Sequence, residues 1–165
     1  MTRKAVGRRE RVDVSGLRFG VVLGDYHKAL GERLLEGSLR CFAAHGIAAS
    51  KIAVVRVPGA FEVSQAACRL LGRRSRPFDA VVCLGVLIRG ATSHFDLLAQ
   101  EACRGIGETA RRTGVPLAFG ILAVENESQA RDRTGPGPSN KGWEAAQAAI
   151  RMAALFRELG RDGPR

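Results

Sequence analysis

The stretch from Phe78 to Ile106, FDAVVCLGVLIRGATSHFDLLAQEACRGI, constrains the fold more than any other part of the chain. Ala80 to Val86 is a continuous valine-rich apolar run, too short for a helix and bounded by turn residues, which suits a strand buried on both faces. Arg89 and Gly90 break the run. Thr92 and Ser93 are natural helix N-caps, and from Phe95 the apolar residues recur at Leu98, Ala102 and Ile106 between Gln100, Glu101, Arg104 and Glu108. The expectation is a strand, a loop and a helix. In a parallel sheet the carboxyl end of such a strand faces the ligand crevice, and the helix start turns unpaired N–H groups toward an anion. His94 stands at that start, so an ionisable imidazole lies beside a candidate phosphate site.

The rest of the chain repeats the alternation. Leu17 to Leu23 reads as a buried strand ending at Gly24, Asp25, Tyr26 and His27, before a helix that carries Leu30, Leu34, Leu35, Leu39 and Phe42 and stops at Gly46. Ile52 to Val57 is a second strand. Pro58 and Gly59 end it, and Ala60, Phe61 and Glu62 open a helix through Ala66, Leu70 and Leu71. Glu62 also has a structural reading, since an acidic residue in a first helical turn complements the helix dipole. Pro116 to Val124 is the fourth strand, followed by a short helical piece ending near Arg133, a loop from Gly135 to Asn140, and a last helix with Trp143, Ala146, Ile150, Ala153 and Phe156 on one face. Right-handed crossovers turn this order into an α/β fold, a three-layer α/β/α sandwich around a parallel sheet.

Composition narrows the function classes. The length of 165 residues predicts one domain, with residues 1–15 a basic arm, 16–160 the domain and 161–165 a tail. A net charge of +10 raises the question of nucleic acid. The excess is spread over the arm (Arg3, Lys4, Arg8, Arg9, Arg11), a loop (Arg73, Arg74, Arg76) and the C-terminal end, and neither Tyr26 nor Trp143 lies in a basic cluster that could stack bases. A solvated surface is the better account, and a salt titration separates the two. Cys41, Cys68, Cys83 and Cys103 each fall in an apolar run with no CxxC pairing, and Cys41 with His45 does not complete a metal site. They read as reduced core residues. The sequence has no secretory-type leader and no run of membrane-spanning length, so the expected location is cytoplasmic.

The segments after the strands hold the chemistry. Tyr26, Ala60 to Glu62, Arg89 to His94, and Glu125 to Arg133 all follow a strand, and together they offer an aromatic face, a carboxylate, backbone N–H groups, an imidazole and a guanidinium. Ser-His-Asp order, a metal cluster, GxGxxG and GxxxxGK[ST] are all missing. That set suits a reaction made of proton transfers and anion binding.

VPGAFEV, GVLIRGATSHFD, FGILAVEN with Gln129 and Ala130, and the Asn140-Lys141-Gly142 turn resemble, in order and at compatible spacing, the lumazine synthases of riboflavin biosynthesis. The resemblance runs from about Arg18 to Leu159. It implies a flavodoxin-like sheet of order 2-1-3-4 and a homo-oligomer of pentamers, which in some members build shells of twelve. It implies a condensation of two small-molecule substrates, 5-amino-6-ribitylaminopyrimidinedione and 3,4-dihydroxy-2-butanone 4-phosphate, that releases phosphate and water with no cofactor, and composition adds the expectation of no nucleic acid and no membrane.

By the same resemblance His94 is the acid/base residue, and Ala91, Thr92 and Arg133 hold the phosphate. Tyr26 stacks on the pyrimidine, Ala60, Phe61 and Glu62 line the ribityl chain, and Val86, Leu87 and Ile88 meet the pyrimidine through their backbone. Phe119 comes from the neighbouring subunit, although on its own it also reads as a core strand residue; Lys141 either contacts phosphate or caps its loop. Two departures stand out: Tyr26-His27 where the family commonly has Phe-Asn, and GPGPSN where many members carry a lysine. They leave open a paralogue that holds riboflavin or lumazine without turnover, against which His94 and Arg133 argue.

Overall fold

The computed structural model describes residues 12–72 and 78–161. The arginine cluster at 73, 74 and 76, the basic arm up to Arg11 and the tail from 162 lie outside the described residues. The elements run β1 (Phe19–Gly24), α1 (Lys28–Ala44), β2 (Ile52–Val57), α2 (Ala60–Leu71), β3 (Ala80–Ile88), α3 (His94–Thr113), β4 (Leu117–Val124), α4 (Glu127–Arg133) and α5 (Lys141–Arg161), with a 3-10 turn at Ala49–Lys51. All strand pairs are parallel, as the alternation of strand and helix leads one to expect, and the order is β2-β1-β3-β4, as the family resemblance implies.

The period of two along each strand builds both hydrophobic layers. Phe19, Val21 and Leu23 of β1 and Val82, Leu84 and Val86 of β3 face Leu34, Phe42, Ala146, Ile150 and Ala153 of α1 and α5. The alternate residues, Val22, Val81, Cys83 and Leu87, face Val63, Ala67 and Ile106 of α2 and α3. Each fully buried large side chain here contributes roughly 1.5–3 kcal/mol, so the central strands carry much of the driving force.

Several boundaries differ from the sequence reading for visible reasons. Leu17 is buried but precedes the ladder, because Arg18 instead exchanges bonds with Asp79: its N–H donates to Oδ2 at 2.7 Å and its carbonyl accepts from the Asp79 N–H at 2.8 Å. β3 continues past Val86, since Leu87 and Ile88 find partners in Ala123 and Val124 of β4. Ser93 occupies the N-cap of α3 without a side-chain cap bond; Thr92 Oγ1 accepts a long one, 3.4 Å, from the His94 N–H. Phe156 is 40 % exposed rather than packed with Ile150. Of the cysteines, Cys41 and Cys83 are core, with burial pushing their thiols up to about 11 and about 12, whereas Cys103 is exposed on α3 and Cys68 half-buried.

Helices α1 and α5 touch at backbone distance. A Cβ on Gly142 would lie 1.9 Å from the Leu34 carbonyl oxygen, and one on Gly37 would lie 2.2 Å from Asn140 Oδ1. Ser38 Oγ donates to the Gly142 carbonyl at 2.8 Å. Asn140 is buried with every polar atom engaged: Oδ1 caps α5 by accepting from the N–H of Gly142 and Trp143, and Nδ2 donates to the carbonyls of Arg33 and Gly135. The asparagine thus ties the Gly135–Asn140 loop to both helices.

At the sheet edge, Arg56 of β2 binds Glu32 through two nitrogens, at 2.6 and 3.1 Å, and Asp25 through one at 3.0 Å. This fork holds the β1–α1 turn that carries Tyr26. The Glu32 carboxyl is held below its ordinary value, chiefly by the Arg56 hydrogen bond, with partial burial opposing.

Gly142→Ala should lower the unfolding free energy by about 2 kcal/mol or more, because two backbones must part. Gly160→Ala, which adds a methyl to open space near the other end of α5, should not destabilise; chemical unfolding of both variants checks this. A second expectation follows from Glu32. Its folded-state pKa lies below the unfolded value, so the stability it contributes is present above the unfolded value and is lost as pH falls through the folded one. The difference in melting temperature between the parent chain and Arg56→Ala, measured at pH values from neutrality downward, should therefore shrink across the glutamate range.

Candidate functional site

A cleft of about 690 Å³ opens at the carboxyl edge of the sheet. Its floor is the end of β3, where Val86 and Leu87 are buried and Ile88 half-buried. Ala60, buried at the start of α2, forms a second part of the floor. The walls come from three loops and helix starts: Tyr26 and His27 after β1, Phe61 and Glu62 after β2, and Gly90, Thr92, His94, Phe95 and Leu98 after β3.

Backbone contact brings the first two loops together. A Cβ on Gly24 would fall 2.8 Å from the Gly59 carbonyl carbon, so only glycine lets the end of β1 lie against the β2–α2 turn. The Asp25 N–H also donates to the Val57 carbonyl at 2.9 Å. Tyr26 leaves this junction 81 % exposed, its ring edge-on to His27 with centroids 5.1 Å apart, so its face is available to a planar ligand. Glu62 folds back toward Gly59, with Oε2 3.3 Å from where a Gly59 Cβ would stand. Phe61 is 43 % exposed at the rim.

On the opposite wall, His94 is exposed at the first position of α3, with Ala91, Thr92 and Ser93 exposed before it. Thr92 lines the cleft, whereas Ala91 lies between two lining residues without lining it. The turn is held by Arg89. Its N–H donates to the Val124 carbonyl, its two terminal nitrogens grip both Asp96 oxygens at 2.9 Å, and Nε donates to Glu125 Oε2 at 2.8 Å. The guanidinium also lies over the Phe95 ring, 4.3 Å from its centroid. The Asp96 carboxyl is held below its ordinary range, first by the Arg89 hydrogen bonds.

Two candidate residues stand elsewhere in the chain. Phe119, on edge strand β4, is 48 % exposed and borders an apolar groove with Leu117, Met152 and Phe156. Arg133 is exposed in the last turn of α4, with Nη1 donating to the Gln129 carbonyl at 3.0 Å. Neither lines the cleft of its own chain. Lys141 is held by both carboxylate oxygens of Glu144, at 2.7 and 2.9 Å. Sequence reasoning missed His27, Phe95 and Leu98 as cleft residues, and it placed Arg89 at the start of a site segment without a role of its own. Burial patterns could have suggested Leu98; nothing local marks Arg89, whose partners Asp96 and Glu125 are 7 and 36 residues away.

One edge of the cleft thus gathers an imidazole, a hydroxyl and open backbone at a helix start, and the facing edge an aromatic ring and a carboxylate. That arrangement can seat a planar polar ring at one end and an anion at the other, with a proton carrier between.

Known proteins resemble this chain in sequence. The family model described as 6,7-dimethyl-8-ribityllumazine synthase matches residues 16–157. The chain is 42 % identical over 148 residues to the protein of that name from Chlorobaculum tepidum, covering 90 % of this chain and 94 % of the relative. It is 43 % identical over 149 residues to the protein of that name from Aquifex aeolicus, covering 90 % and 96 %. The Chlorobaculum parvum protein of the same name is 43 % identical over 145 residues, covering 88 % and 92 %. With most of both chains aligned at that identity, and the matched region containing every wall of the cleft, the chain belongs to the 6,7-dimethyl-8-ribityllumazine synthase family.

Proposed function

We propose that the chain makes 6,7-dimethyl-8-ribityllumazine by condensing 5-amino-6-ribitylaminopyrimidinedione with 3,4-dihydroxy-2-butanone 4-phosphate, as a transferase of riboflavin biosynthesis. The observation that carries the reading is the cleft itself, which collects Tyr26, Ala60, Phe61, Glu62, Val86 to Ile88, Thr92 and His94 in a chain of this family.

The chemistry follows from those groups. Tyr26 stacks on the pyrimidinedione, whose polar edge bonds to free backbone groups at the end of β3, and Glu62 with the start of α2 receives the ribityl hydroxyls. The phosphate of the second substrate binds at the start of α3 through Ala91, Thr92 and backbone N–H groups, where the helix dipole favours negative charge. The amine then attacks the ketone, and loss of water leaves an imine. A proton leaves C3 as phosphate departs from C4, the resulting enol tautomerises to a C3 ketone, and attack of the ribitylamino nitrogen on that carbonyl with loss of a second water closes the ring. His94 stands beside the anion and the reacting carbons, where it can take and return the protons these steps require. The rest of the acceleration comes from holding amine and ketone together.

Phe119 and Arg133 enter through a neighbouring copy in the same proposal. Support comes from their exposure away from their own cleft and from the apolar groove of Phe119, Met152 and Phe156, an area that a second chain would cover. The assembly is then a closed ring, a pentamer as in the resemblance described above, with shells of pentamers a further possibility of the same geometry. Cytoplasmic location is part of the proposal, in keeping with four free thiols. Among the described residues no helix is long and apolar enough to cross a membrane.

Incubation with both substrates should produce the fluorescence of the lumazine, and His94→Ala should reduce turnover by about 10²-fold while leaving the assembly intact. Failure to form product, with tight binding of lumazine or riboflavin, would identify a ligand-holding relative instead. A fully active His94→Ala would remove the imidazole from the mechanism.

A further inference from the structure

We propose that Arg89 is a positioning residue, which holds the phosphate-binding turn and His94 in register with each other and with the start of α4. The inference deepens the functional reading above and rests on it for its kinetic consequence.

The geometry is that of a clamp spanning three elements. Arg89 leaves β3 and is the last residue before the Gly90–Ser93 turn; its backbone is anchored by the Val124 carbonyl of β4. Its side chain crosses the turn it precedes. Nη1 and Nη2 each meet one oxygen of Asp96 at 2.9 Å, a parallel two-bond fork, and Nε reaches Glu125 on the β4–α4 turn at 2.8 Å. The ring of Phe95, a cleft residue, lies beneath the guanidinium. Asp96 in turn belongs to the first turn of α3, where its N–H donates to the Ser93 carbonyl at 3.1 Å. The residues that flank the turn on both sides are therefore joined directly, and the exposed residues between them have little freedom to move apart.

Glu125 extends the link. Its own N–H donates to Gln129 Oε1, and Asn126 Oδ1 accepts the Gln129 N–H, so the first turn of α4 is fixed to the same point. Arg133 follows one turn later. Arg89 thus ties the anion-binding turn of one cleft to the helix that, in the reading above, presents the Arg133 guanidinium to its neighbour's.

A stability role does not account for this arrangement. The side chains of Arg89, Asp96 and Glu125 are 37, 46 and 58 % exposed, and ion pairs at such exposure contribute little to folding. What the fork supplies is orientation, and a lysine, with one nitrogen on a flexible stem, cannot reproduce it. Loss of Arg89 also leaves the Asp96 and Glu125 carboxylates uncompensated beside a site meant for a phosphate.

The test uses Arg89→Ala and Arg89→Lys, each with two readouts on the assembled protein. Without substrate, hydrogen exchange of the Asp96 and Leu97 amides, which donate to the Ser93 carbonyl, should quicken by about 10-fold in both variants, while the β3 amides stay as slow as in the parent chain. With substrates, the KM for the butanone phosphate should rise by about 10-fold and that for the pyrimidine by less than about twofold. Exchange and KM both unchanged in Arg89→Ala would overturn the proposal, as would full restoration of both by lysine, which would reduce the role to charge alone. A drop in melting temperature without either change would likewise leave Arg89 a structural ion pair. Were the parent chain itself inactive, the enzyme reading would fall, and the exchange measurement would still decide whether Arg89 holds the turn.

Discussion

Burial of β1 and β3 on both faces is the constraint from which the rest of the molecule follows. Neither strand can satisfy its backbone except through parallel neighbours, and none of their facing side chains can be polar. Polar groups are consequently expelled to the strand ends. At the carboxyl edge the chain must turn into a helix after every strand, so the orphan N–H groups of successive helices and the polar loop residues converge there. The cleft is where the core ends, and Val86 to Ile88 belong to both.

Two kinds of contact then convert a generic edge into a specific site. Glycines permit approach: Gly24 against Gly59 brings the Tyr26 turn to the start of α2, and Gly142 against Leu34 locks α5 on α1 behind it. Arginines fix direction. Arg56 steadies the turn that bears Tyr26, and Arg89 the turn that leads to His94, each by a fork onto a carboxylate of the following helix. Exposure makes both pairs modest in stability, so the core supplies the driving force and the forks supply geometry.

The sequence made the architecture legible where one physical signal dominated. The valine-rich run of β3, the limits of β2 at Ile52 and Val57, and the Gly46 stop after α1 all follow from periodicity and backbone preference. Legibility failed where tertiary contacts chose between local options. Leu17 was apolar enough for the ladder, but the Arg18–Asp79 exchange took its place. Thr92 and Ser93 had the chemistry of caps, yet neither closes α3 with a normal side-chain bond. Cys103 sits in an apolar stretch but on the outer side of α3, a distinction of one helical step. Within the cleft, Tyr26, Glu62, Thr92 and His94 were found because they follow strands. Arg89 was placed in a site segment but given no role, because its meaning lies in partners that only the fold brings close, and Phe119 and Arg133 stand away from the cleft of their own chain.

In the proposed assembly a working site draws His94 from one chain and Arg133 from another. Chains carrying His94→Ala and chains carrying Arg133→Ala, each nearly inactive, would be mixed in equal amounts, unfolded and refolded together. Random assembly gives about one site in four with both groups intact, because a site then needs its imidazole from an arginine variant and its guanidinium from a histidine variant. The account predicts activity well above either parent, near a quarter of the unmodified protein. Parental activity alone, in rings verified by mass to contain both chains, would contradict it.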